Sequence, residues 1–137
     1  MRLEHIPVVQ VDADQALSGN AEAVLREIAA LLEQRVNTGE DAAIDLSSLP
    51  LTPADRVWLM QRLGHGEVEA TVEASGRSVI RETGYHGVWW VEHHDESGKL
   101  LAELIEVTAC PVLLQTHPDD LRAGLQQLID DNAAPCE

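Results

Sequence analysis

Val24, Leu25, Ile28, Leu31 and Leu32 recur at the spacing of one helical face, with Asn20 placed as an N-cap and Gly39 as a stop. The pattern predicts an amphipathic helix. A short apolar stretch around Ile44 and Leu46 follows. Next, Leu51-Thr52-Pro53-Ala54-Asp55 combines a Thr N-cap, a proline at the first helical position and an acid three residues after the cap. A second helix is expected from there to about Leu63, ended by Gly64-His65-Gly66. From Glu67 the period drops to two. Val68, Ala70, Val72 and Ala74 fall on one face and Glu67, Glu69, Thr71 and Glu73 on the other, as in a half-buried strand. Ser75-Gly76, His86-Gly87 and Ser97-Gly98 separate three further β-rich runs, about 77–85, 88–94 and 100–107. A last helix begins near Thr116 or His117 with Pro118 and Asp119 in its first turn, and its stripe of Leu121, Leu125, Leu128 and Ile129 is expected to be buried. Near the start, Leu3 to Val11 alternates weakly around Pro7, which points to an edge strand or an extended arm.

Helices before and after a meander make an α+β fold: an antiparallel meander sheet of about four strands with three helices packed mainly on one face. At 137 residues a single domain is expected over 1–137, with its core at about 20–131 and flexible termini. Phe is absent, so the core is built mainly from Leu, Val, Ile and Ala, and each of the three Trp matters. Trp89 and Trp90 are adjacent on the third strand, while Leu100, Leu101, Leu104 and Ile105 on the fourth supply both parities. These strands are therefore apolar on both sides. One Trp joins the helix-covered core. The other faces the second side, where it meets either more of this chain, such as the N-terminal segment, or a partner. Trp89, Trp90, Val91 and Leu104 are accordingly the candidate partner-binding residues.

A formal net charge of −15 repels phosphate backbones and anionic headgroups, which argues against nucleic-acid and membrane roles. The same field favours a basic partner, or it serves solubility alone. No apolar run is as long as a membrane span and no signal-peptide h-region is seen, so a cytoplasmic protein is expected. Cys110 and Cys136 are too far apart for a CxxC motif and fit a reducing compartment.

Of the groups that carry chemistry, His93-His94-Asp95-Glu96 supplies metal-ligand types, but neighbouring residues on a strand diverge and a Ser97-Gly98 turn follows. No metal site is assigned, and His93, His94 and Asp95 stand as its only candidates. Cys110, before Pro111, has His117 as a conceivable base, yet nothing marks a low-pKa thiol, and a buried or inert cysteine is expected. Ser47-Ser48 lacks a nucleophile-elbow setting. Carboxylate pairs such as Glu103 and Glu106, Glu67 and Glu69, or Asp119 and Asp120 read as solvated faces in a chain with 24 acids. There is no P-loop, GxGxxG or HExxH motif. No cofactor and no catalytic residue is expected.

Read in order, Ile44-Asp45-Leu46-Ser47-Ser48-Leu49-Pro50-Leu51-Thr52-Pro53-Ala54-Asp55, Leu63-Gly64-His65-Gly66-Glu67-Val68, Glu82-Thr83 and Gly87-Val88-Trp89-Trp90-Val91 resemble the hydrogenase-expression protein family of the HupH and HyaF type. The strand 101–107, the Pro111 turn and the helix at Asp120-Leu121 continue the likeness over about 22–130. The resemblance implies a non-catalytic accessory protein in assembly of uptake nickel-iron hydrogenases, a chaperone or scaffold for the iron-sulfur small-subunit precursor before export, or a protein that acts with other maturation factors. Longer members carry such a domain in a chain about twice the size, which leaves pairing with itself or with a longer relative open. Two alternatives stand beside this reading: a metal-binding or metal-delivery protein using His93, His94 and Asp95 with His65 or Cys110, and a structural dimerisation domain.

Overall fold

The computed structural model describes residues 16–133. Five strands and three α-helices follow in the order α1 (Asn20–Thr38), β1 (Ala42–Asp45), α2 (Pro53–Leu63), β2 (Glu69–Glu73), β3 (Arg77–Glu82), β4 (Val88–His94), β5 (Leu100–Val107) and α3 (Pro118–Ala133). Single 3-10 turns lie at Leu46–Ser48 and Val112–Leu114. The expected meander is present as β2 to β5. The short apolar stretch at Ile44 adds a fifth strand, β1, antiparallel to β5, in the sheet order β1-β5-β4-β3-β2. Four residues with one buried side chain show too little alternation to be recognised as a strand before its pairing is seen. The Leu3–Val11 segment, the N-terminal cover over the second sheet face and Cys136 lie outside the described residues.

Helix ends follow local chemistry. Thr52 caps α2 by accepting from the Asp55 amide at 3.0 Å, and Asp55 returns the bond by accepting from the Thr52 amide at 2.9 Å. Gly39 closes α1 in the left-handed conformation. Asn20 is the first residue of α1 rather than its cap: Gly19 holds that position, and the Asn20 side-chain Nδ2 donates to the Pro50 carbonyl at 2.9 Å, tying α1 to the approach to α2.

The core lies between α1, α2 and one face of the sheet. Val24 and Ile28 of α1 and Leu59 and Leu63 of α2 pack with Ile44, Val88, Trp90 and Ile105. A smaller cluster, Ile80, Trp89 and Val91, occupies the second face, with Val72 and Leu114 against it. α3 differs from the expectation. It forms where the pattern placed it, but none of its residues is buried, so among the described residues only two of the three helices pack on the sheet.

Candidate functional site

Antiparallel pairing fixes which side chains share a face. Ile80, Val91 and Leu104 lie opposite one another across β3, β4 and β5, with Trp89 one step along the same face of β4. Trp90 projects to the other side, into the helix-covered core. Both indoles are buried, at 6% exposure for Trp89 and 4% for Trp90, and both N–H groups are satisfied. Trp89 donates to the Thr108 carbonyl at 3.0 Å and Trp90 to the Glu103 carboxylate at 2.9 Å. Val91 is fully buried and Leu104 half-buried. The structure thus divides the four candidate contact residues between two faces, covering Trp89, Trp90 and Val91 and leaving only Leu104 partly open.

The Glu103 contact corrects the view of that residue as a solvated carboxylate. Glu103 is buried on the face of β5 that also carries Ile105 and Val107, and it accepts from Trp90 and pairs with Arg56 of α2. A charge at an otherwise apolar strand parity was the signal in the sequence, because a buried carboxylate needs donors. Beside it Arg81 pairs with Glu92, which His94 also approaches at 3.2 Å. This face therefore carries the apolar core under α1 and α2 together with the ion pairs Arg56–Glu103 and Arg81–Glu92.

His93 and His94 diverge as strand neighbours must. His93 Nδ1 shares a hydrogen bond with Ser78 Oγ at 2.7 Å on the second face, while His94 turns to Glu92 on the first. Asp95 is occupied within its turn, accepting from the Ser97 and Lys99 amides at 2.9 Å. The Ser97 hydroxyl and those amides hold its carboxyl below the usual range. An open groove lined by Glu73, Gly76, Arg77, His94, Asp95 and Glu96 lies at this hairpin end. Among the described residues no group of three or more His, Cys, Asp or Glu side chains is placed to hold a metal.

Cys110 is exposed rather than buried; its thiol faces the Pro111 carbonyl at 3.7 Å. His117 is used elsewhere, accepting from the Asp119 amide through Nδ1 at 3.0 Å at the start of α3. Glu106 is half-buried beside Asp41 and His93. Burial raises its carboxyl above the ordinary range, His93 offsets part of that, and Asp41 adds to it.

Several of the collinear motif residues prove to be architectural. Gly66 lies where a Cβ would come within 2.5 Å of both the Glu82 carboxylate and the Thr83 carbonyl, so only glycine permits this crossing of α2's exit over the end of β3. The Gly66 amide donates to the Glu82 carbonyl at 2.8 Å and the Gly84 amide to the Leu63 carbonyl at 2.8 Å, while Thr83 donates to the Val88 carbonyl at 2.9 Å. Ser47 Oγ accepts from the Glu103 amide at 2.9 Å, anchoring the turn after β1 to β5. Asp55, buried, accepts from both the amide and the hydroxyl of Ser18. Burial pushes its carboxyl up, but the Ser18 and Thr52 donors outweigh this and hold it below the usual carboxylate range.

Exposed apolar surface is concentrated at the C-terminal end of the described chain. Leu121, Leu125, Leu128 and Ile129 of α3 are 51–64% exposed, and Val112 and Leu113 stand exposed just before the helix. Periodicity announced this stripe; its lack of cover is visible only in three dimensions.

Comparison with known proteins finds the HupH hydrogenase expression protein C-terminal conserved region over residues 19–134. The chain is 34% identical over 86 residues to hydrogenase expression/formation protein HoxQ of Azotobacter vinelandii, covering 63% of this chain and 30% of that protein. It is 31% identical over 114 residues to hydrogenase expression/formation protein HupQ of Azotobacter chroococcum mcd 1, covering 80% of this chain and 39% of that protein. The chain thus spans well under half the length of these relatives. A solved structure, hydrogenase expression protein HupH from Thiobacillus denitrificans ATCC 25259, superposes with a TM-score of 0.83 at 43% identity, covering 86% of this chain and 98% of that one.

Proposed function

Because the chain belongs to the HupH hydrogenase expression protein family through its C-terminal conserved region, we propose that it assists hydrogenase assembly in the cytoplasm by holding the iron-sulfur small-subunit precursor before export, without turnover. The observation that carries this reading is an exposed apolar surface on a strongly acidic chain. A non-catalytic holder needs apolar area for an incompletely assembled client, and a charge of −15 favours encounter with a basic one. The polar groups support it too, since His93, His94, Asp95, Glu103 and Asp55 are each engaged in hydrogen bonds that shape the fold.

The test is co-purification of this chain with tagged small-subunit precursor, with and without its signal peptide. Retention of the folded precursor supports the reading, and a signal-peptide requirement would place the contact there. Absence of both forms from the eluate, with both proteins folded, overturns it.

A further inference from the structure

The exposed stripe on α3 has a definite chemical character. Leu121, Leu125, Leu128 and Ile129 lie within a band about 100° wide on a helix of 3.6 residues per turn, and Asp120 and Asp131 follow along one edge of it. Gly124 sits between those two aspartates on the same edge, with nothing within 4 Å of where its Cβ would be, so a partner's backbone has room to approach closely. The helix carries Asp119, Asp120, Asp130 and Asp131 against Arg122 alone, and Arg122 is already paired with Asp119 at 2.8 Å. Four apolar side chains more than half exposed amount to roughly 400 Å², the size of the largest apolar patch on an ordinary monomer, which is often a functional surface. That is enough for the apolar centre of an interface of about 800 Å² per partner.

We infer that α3 is a docking helix for a cationic amphipathic segment of a client polypeptide, whose apolar side covers Leu121, Leu125, Leu128 and Ile129 and whose Lys or Arg side chains reach Asp120 and Asp131. The inference rests on the holding role proposed above and gives it a location and a partner chemistry. Charge selects this occupant. Two α3 helices paired antiparallel about Leu125 would set Asp120 of each copy against Asp131 of the other, between chains that each carry −15. An anionic lipid surface is repelled by the same groups. A cationic segment meets both aspartates, which are separated by eleven residues, about 16 Å along the axis.

The experiment titrates the full chain into two labelled synthetic helical peptides, read by fluorescence anisotropy. Both carry the same leucine stripe, flanked by lysines in one and by glutamates in the other. The expected result is at least about tenfold tighter binding of the lysine peptide, weakened by salt. Loss of that binding is expected in Leu125→Asp/Leu128→Asp, and a reversed preference in Asp120→Lys/Asp131→Lys. Circular dichroism checks that the variants fold, which their exposed positions favour. Equal binding of the two peptides, or binding undiminished by the leucine changes, overturns the inference. So does a wild-type dimer in sedimentation that Leu125→Asp/Leu128→Asp converts to monomer, since a second copy is then the occupant. The two proposals separate when the leucine variant is tested for precursor. Full retention there removes α3 as the docking site and leaves the holding role intact, whereas failure of the wild-type chain to retain precursor, with the lysine-peptide preference still present, removes the precursor as the client and leaves α3 as a docking helix for another cationic segment.

Discussion

α1 and α3 are similar in length and both amphipathic, yet one is core and the other surface. α1 buries Ala21, Val24 and Ile28, while α3 buries nothing. Their moorings differ as well. The start of α1 is tied to the rest of the domain through Asn20 on the Pro50 carbonyl and through Ser18 on Asp55 of α2. Among the described residues the start of α3 has only its own neighbours, His117 accepting from the Asp119 amide and from the amides of Asp120 and Leu121. A hydrophobic stripe therefore reports that a helix has something to bury. Whether this chain supplies the cover depends on how the connecting segment directs the helix, and the 3-10 turn at Val112–Leu114 sets Leu114 on the second sheet face just before α3 begins.

The largest effect that separates the two helices is expected from the stripe of α1. Ile28→Ala should cost about 2–5 kcal/mol of folding free energy in chemical denaturation, as truncation of a buried aliphatic side chain does. A loss of only a few tenths would mean that α1 is as loosely held as α3.

Next comes the link between the docked helices. Asp55→Ala removes the capping box and leaves the Ser18 and Thr52 amides without their acceptor, with an expected cost of about 1–3 kcal/mol. The sign of the pH dependence follows from the lowered carboxyl of Asp55. Its contribution is full above the unfolded-state value and is lost as pH falls through the lower folded-state value. Wild type should therefore lose stability on acidification below about pH 4 more steeply than Asp55→Asn. Parallel acid limbs in the two proteins would show that this carboxylate is not a linkage group.

Hydrogen exchange should sharpen the comparison without any substitution. Amides in α1 and α2 should exchange only with global unfolding, whereas those of α3 should exchange by local opening, because a helix of 16 residues without a packed face is marginal in water. Protection of α3 equal to that of α1 would show that it is covered in solution.

The smallest effect is expected from Leu125→Ala, which should change stability by no more than about 0.5 kcal/mol, since the side chain is already exposed. Together with Ile28→Ala it forms a matched pair of stripe truncations, one in a docked helix and one in an undocked helix.

Much of this protein was legible along the chain because its determinants are local. Thr52-Pro53-Ala54-Asp55 carries its own capping geometry, the glycines after Leu63 end α2, and β4 and β5 begin and end with the β-rich runs that the turn dipeptides bound. The adjacent pair Trp89-Trp90 required a sheet with two apolar faces, and it has them. Tertiary structure decided everything that depends on meeting a distant residue. β1 exists by pairing with β5, Glu103 is buried because Trp90 and Arg56 supply donors, and Gly66 is required because Glu82 and Thr83 approach it. It also decided that Trp89 is covered while Leu121, Leu125, Leu128 and Ile129 are open. The physical reason is that periodicity encodes which side of an element is apolar, a property of neighbours three or four residues apart. Burial depends on what the rest of the chain brings against that side.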